Sequence, residues 1–178
     1  MQSRSFQSIV LPTKLHRPQT RDHDVLRPRL LAHPDAGLQR RVTLISAPAG
    51  YGKTILAAQW LEHLPRRAAW LSVDEQDSSL ERFLRYLIAA LHTVAPGLCA
   101  EVEPLLSVPT LPLAPYVADA LVTALLALSE PVVLVIDDYH AARSKAVHIM
   151  LMRLVQHLPA SVHLVILTRV DPPWPLAR

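Results

Sequence analysis

Nine consecutive residues, Ser46-Ala47-Pro48-Ala49-Gly50-Tyr51-Gly52-Lys53-Thr54, carry the densest chemistry in the chain. The spacing of a phosphate-binding loop is G-x-x-x-x-G-K-[ST]. Here Ala47 stands at the first glycine, and Gly52, Lys53 and Thr54 complete the pattern. Such a loop turns successive backbone N–H groups into one concavity at a helix amino terminus, where negative charge is favoured. Gly50 and Gly52 permit the backbone angles and close approach that a phosphate requires. Lys53 supplies a cation for β- and γ-phosphates, and the Thr54 hydroxyl suits a Mg²⁺ ligand. Contacts to a bound nucleotide are expected from Ala47, Pro48, Ala49, Gly50, Tyr51, Gly52, Lys53, Thr54 and Ile55.

A second constellation lies about eighty residues on. Val132-Val133-Leu134-Val135-Ile136 runs into two adjacent acids, Asp137 and Asp138. Successive strand residues point to opposite sides, so the two carboxylates should have different tasks. Asp137 is placed to hold Mg²⁺, directly or through water. Asp138 is the catalytic candidate, orienting or deprotonating an attacking water. Leu164-Val165-Ile166-Leu167-Thr168-Arg169 repeats the arrangement with a cation at the strand end. In a parallel sheet Arg169 would share an edge with the phosphate loop and reach a γ-phosphate. Asp74 and Glu75 also follow an apolar run and are either helper acids or solvated loop residues. The nine histidines show no metal-binding spacing, and no Gly-x-Ser-x-Gly elbow supports a serine hydrolase.

These residues need a scaffold that brings strand ends together. Residues 42–46, 68–73, 132–136 and 162–167 read as short buried strands. Helical spacing predicts helices over 53–64, 116–128 and 146–158, with Pro65 ending the first. Ser78-Ser79-Leu80-Glu81 has the form of a capping box, and Leu80, Phe83, Leu84, Leu87, Ile88 and Leu91 follow at helical spacing until Pro96-Gly97. Residues 96–115 hold five prolines and read as a loop with short helical pieces. Strands alternating with helices imply a parallel sheet covered on both faces. The fold class is therefore α/β, a P-loop NTPase, with residues 42–178 as its core and 1–41 as a lead-in with a short helical piece over 25–32.

Composition narrows the setting. The chain has 178 residues, 51% of them apolar and 19% charged, with a mean hydropathy of +0.22. That excludes a disordered polar chain and suits one sizeable domain. No run approaches the roughly 18 apolar residues of a membrane span, and the first residues do not form a signal peptide. The single cysteine, Cys99, excludes an intramolecular disulfide and a cysteine-cluster metal site, and a reducing, cytoplasmic setting fits best. Net charge is +3, but residues 1–41 hold eight Arg/Lys against three Asp. This basic arm reads as a solvated, proline-rich segment. Without a run of cations interleaved with aromatics, DNA binding by this chain is not expected.

Taken in order, several segments carry a family resemblance. They are Leu11-Pro12-x-Lys14-Leu15-x-Arg17-Pro18, the phosphate loop, Trp70-Leu71-Ser72-Val73-Asp74-Glu75, residues 82–91, Val135-Ile136-Asp137-Asp138-Tyr139-His140 and Thr168-Arg169. Together they resemble the N-terminal nucleotide-binding domain of MalT-type large LuxR-family transcriptional regulators, which belong to the signal-transduction ATPases with numerous domains. Alanine at 47 agrees with that family. The resemblance implies an ATP-dependent switch that rests with ADP, self-associates with ATP and a small-molecule inducer, and resets by hydrolysis. It implies phosphate and Mg²⁺ contacts for Lys53 and Thr54, Mg²⁺ for Asp137, catalysis for Asp138 and γ-phosphate sensing for Arg169. It also sets Lys14 to Arg29 near the adenine and ribose. Promoter DNA would be bound by a C-terminal helix-turn-helix of the full-length parent. Four strands are read where the family has five, and the lid and later domains are absent, so the chain is expected to be an amino-terminal fragment or a truncated gene product. A small-molecule P-loop kinase and an inactive folded remnant are the alternatives.

Overall fold

The computed structural model describes residues 10–21, 38 and 40–174. The helical piece expected over 25–32 lies outside the described residues. Four strands, β1 (Val42–Ser46), β2 (Arg67–Ser72), β3 (Val132–Asp137) and β4 (Val162–Thr168), form one sheet. All pairs are parallel and the order is β1-β4-β3-β2. The four carboxyl ends therefore lie along one edge. Helix α1 (Lys53–Glu62) joins β1 to β2, which stand at opposite sides of the sheet. Helices α2 (Leu80–His92) and α3 (Ala114–Leu126) separate β2 from β3, and α4 (Lys145–His157) joins β3 to β4.

Strand alternation divides the core in two. Val133, Val135, Val165 and Leu167 pack with Trp70 against Ala57, Trp60 and Leu61 of α1. Leu134, Ile136, Leu164 and Ile166 face the other way and pack among buried residues of α2, α3 and α4, including Phe83, Leu121 and Leu151. With both faces covered, β3 and β4 are buried at every residue. That is why they read as continuous apolar runs rather than alternating ones. A 3-10 turn of the lead-in, Pro12–Leu15, lies beside β2 and covers an edge that would otherwise be open to strand pairing.

Two expectations about helix starts are corrected. The cap of α2 is Ser79, not Ser78: the Ser79 hydroxyl accepts from Arg82 N–H at 3.2 Å. Ser78 instead ends a 3-10 turn (Glu75–Ser78) and donates to the Glu75 carbonyl at 2.8 Å. Helix α3 begins at Ala114, with Pro115 in its first turn. Proline fits there because its missing N–H would have no helical partner, so the proline that suggested a loop instead starts the helix. The proline-rich stretch contains one further 3-10 turn, Glu103–Ser107.

One polar side chain sits deep in the sheet. His163 of β4 is buried, with its Nδ1 2.9 Å from the Arg40 carbonyl and its Nε2 2.9 Å from Thr43 Oγ1. A carbonyl only accepts, so Nδ1 carries the proton and Nε2 accepts from Thr43. Burial, the main cause, holds the imidazole below its ordinary pKa of 6.5. A histidine lowered in the fold contributes stability that is full above 6.5 and is lost as pH falls through the folded value. Melting temperature should accordingly fall between pH 7 and pH 5, and by less in His163→Gln; an equal fall in both would contradict this assignment.

Candidate functional site

The polar side chains of the site lie at or after the carboxyl ends of β1, β3 and β4. The loop after β1 is tied to β4, because Ala47 N–H donates to the Thr168 carbonyl at 3.2 Å. It turns through Gly50 and Gly52, both at positive φ (81° and 74°), conformations that cost a side-chain-bearing residue roughly 1–2 kcal/mol. Gly52 is the N-cap of α1 in the left-handed region. No atom stands within 4 Å of the place a Cβ would take at either glycine, so the demand is for backbone angle rather than space. The loop itself is largely open: Pro48, Ala49, Gly50, Tyr51 and Gly52 are exposed and Ala47 is half-buried.

Lys53, the first residue of α1, is buried and folds back under the loop. Its ammonium donates to the carbonyls of Ala47 (2.7 Å) and Pro48 (3.0 Å). The next residue, Thr54, donates its hydroxyl to the Asp137 carboxylate, at 3.0 Å from Oδ2 and 3.2 Å from Oδ1. Asp137 ends β3, is 4% exposed, and also accepts from Asp138 N–H at 2.8 Å. Two hard oxygen donors thus face each other at about the edge length of an Mg²⁺ octahedron, roughly 3 Å for ligands at about 2.1 Å. The donor set fits that ion. Among the described residues no group of three His, Cys, Asp or Glu could hold a metal ion.

Asp138 turns away from its neighbour. It sits at φ 53°, the one non-glycine residue at positive φ among those described. Its Oδ1 is 3.9 Å from Arg169 Nε and 3.8 Å from His140 Nδ1. The two adjacent carboxylates therefore serve separate partners, Thr54 for Asp137 and a pair of basic groups for Asp138. Arg169 is exposed just beyond β4. Asp74 and Glu75 take no part in this group. Asp74 caps the turn at 75–78 and pairs with Lys14 at 2.7 Å, and Glu75 pairs with Arg143 at 2.8 Å.

A cavity of about 440 Å³ adjoins the first turn of α1, lined by Pro18, Gln19, Thr20, Arg21 and Ile55. Ile55 directly follows Thr54, so the wall of this cavity is one residue from the Thr54–Asp137 pair. The lead-in supplies the opposite wall, and Thr20 Oγ1 donates to Glu62 Oε1 at 2.6 Å. A slightly larger cavity, about 490 Å³, opens by Arg67 and Glu130 at the amino ends of β2 and β3, the sheet edge opposite the loop.

Burial, and then the nearby charge of Asp138, push the Asp137 carboxyl up to about 6, against the Thr54 hydroxyl and the Asp138 N–H, which favour the anion. A carboxyl raised from 3.8 gives stability that is full below that value and is lost as pH rises through about 6. In Mg²⁺-free buffer, Asp137→Asn should remove that loss. The variant's melting temperature should gain on the parent's between pH 4.5 and 7, and a constant difference across this range would refute the buried-carboxylate account.

Comparison with known proteins gives the family. The AAA ATPase domain profile matches residues 21–167. HTH-type transcriptional regulator MalT of Serratia proteamaculans (strain 568) is 37% identical over 170 residues, 96% of this chain. The protein of the same description from Yersinia pestis (strain Pestoides F) gives the same identity and coverage. The chain spans 19% of the length of these relatives, and corresponds to their N-terminal region. Matched over most of its length and folded as a parallel sheet with a glycine-turned loop at its carboxyl edge, this chain belongs to the AAA ATPase domain family, a family of nucleotide-binding domains.

Proposed function

We propose that this chain is the ATP-binding switch module of a MalT/LuxR-type transcriptional activator. The observation that carries the proposal is the meeting of Lys53, Thr54 and Asp137 at one helix amino terminus, with Thr54 and Asp137 3.0 Å apart. In this reading the N–H groups of residues 50–54 cradle the phosphates of ATP or ADP, helped by the positive end of α1. Lys53 exchanges its two loop carbonyls for β- and γ-phosphate oxygens. Thr54 and Asp137 would hold Mg²⁺, which would supply positive charge to offset the negative charge of the phosphates. The base lies in the cavity between Pro18–Arg21 and Ile55, the cavity that adjoins the loop.

The same residues supply the parts for slow hydrolysis. Asp138 orients a water and accepts its proton as the oxygen attacks the γ-phosphorus and the bond to the β-phosphate oxygen breaks. Arg169 exchanges Asp138, 3.9 Å away, for the γ-phosphate and so distinguishes ATP from ADP. Basal turnover is regulatory rather than metabolic. In the full-length parent the nucleotide state would govern response to a small-molecule inducer, self-association and promoter binding, each through segments beyond this chain, in the cytoplasm. No helix among the described residues is long and apolar enough to cross a membrane.

Thermal unfolding with and without Mg·ADP and Mg·ATP tests the proposal. A ligand at about 100 times its Kd adds roughly 2.7 kcal/mol, a rise of about 5–11 °C for a chain of this size. The rise should vanish in Lys53→Ala. A parent protein that melts cooperatively and shows no rise at saturating nucleotide would end the nucleotide reading for this chain.

A further inference from the structure

The most buried charge cluster outside the site belongs to the lead-in. Asp77 is 1% exposed and both its oxygens are used. Oδ1 accepts from Arg82 Nε at 3.0 Å, and Oδ2 accepts from Asp74 N–H at 2.9 Å and from Lys14 Nζ at 2.5 Å. The same ammonium reaches Asp74 Oδ2 at 2.7 Å and lies 4.6 Å above the centre of the Tyr86 ring. The Tyr86 hydroxyl in turn accepts from Leu11 N–H at 3.3 Å. Lys14, buried to 8% exposure, is thus held by three groups, Asp74 and Asp77 of the turn that follows β2 and the Tyr86 ring of α2.

Position makes this cluster more than a structural tie. Three residues separate Lys14 from Pro18, the first residue of the cavity wall beside Ile55. That tether spans at most about 14 Å, and proline at its far end fixes one more dihedral angle. Past Pro18 the chain is held to α1 through Thr20 and Glu62. A shift of the Lys14 anchor therefore reaches the cavity wall with little slack to absorb it. A buried ion pair contributes little net stability over an apolar pair of similar size, and its attested use is to fix register. Arg82 keeps Asp77 compensated when Lys14 is lost.

We infer that Lys14, clamped by Asp77 and Asp74, is a positioning residue that sets the lead-in against Ile55 and so governs affinity for the nucleoside part of the ligand, not for its phosphates. This rests on the nucleotide reading above. It makes the turn at 74–77, which touches no ligand in that reading, a determinant of nucleotide affinity.

Calorimetric titration of the 178-residue chain with Mg·ADP and, separately, with Mg·tripolyphosphate tests it. The parent should bind ADP more tightly than tripolyphosphate. Lys14→Met should weaken ADP at least tenfold and change tripolyphosphate less than twofold. If that variant does not fold, Asp74→Asn, which leaves the buried Lys14–Asp77 pair in place, should weaken ADP about threefold with tripolyphosphate unchanged. Equal weakening of both ligands, or no weakening of ADP, would overturn the positioning role while leaving the phosphate loop intact. A parent that binds neither ligand would overturn the nucleotide reading and this inference with it.

Discussion

Four strands that all run the same way put four chain exits on one edge of the sheet, and the rest of the structure depends on that constraint. Each exit delivers a group of different character. The one after β1 gives a loop of exposed N–H groups, and the one after β3 gives two acids. From β4 the chain enters Arg169, and from β2 it enters the acidic turn that grips Lys14. Parallel pairing demands burial of both faces, which Trp60 and its neighbours provide on one side and α2, α3 and α4 on the other. The apolar core thus fixes the relative height of the strand ends, and with it the 3.0 Å approach of Thr54 to Asp137.

The polar groups of the edge satisfy one another. Lys53 bonds loop carbonyls and Thr54 bonds Asp137. Asp138 stands between Arg169 and His140 without a close bond to either. A buried ammonium or carboxylate left without partners would be costly, so these internal contacts hold the loop and the strand end together. In the proposed function a nucleotide with its metal ion replaces each contact with a stronger, charge-assisted one. Affinity is then the difference between two sets of bonds, and the looser contacts around Asp138 are the ones most easily exchanged.

Much of this was legible in the sequence, for identifiable reasons. Strands β3 and β4 announce themselves because burial on both faces makes the runs almost wholly apolar, His163 being the polar residue inside β4. Gly50 and Gly52 mark the loop because the angles there are ones other residues resist. Helix boundaries were harder. Ser78 and Ser79 are equally good caps in isolation, and what decides between them is a 3-10 turn closed by Asp74 and Asp77. Pro115 resembles a loop residue until its place in a first turn is known. The Lys14 cluster was missed altogether. A lysine among prolines in a basic arm reads as solvated, and only the tertiary fold brings it to an aspartate 63 residues away. The acids at 74 and 75 attracted attention for their strand-end position, whereas the residue that matters most to packing there is Asp77.

The central claim is that Lys53, Thr54 and Asp137 form one phosphate and metal site rather than a structural knot. A crystal structure with Mg·ADP tests it most directly. The account predicts phosphate oxygens against the N–H groups of residues 50–54, Lys53 released from the Ala47 and Pro48 carbonyls, and a metal ion at the Thr54 hydroxyl on the side of Asp137. Nucleotide bound elsewhere, with Lys53 still on those two carbonyls, would contradict it.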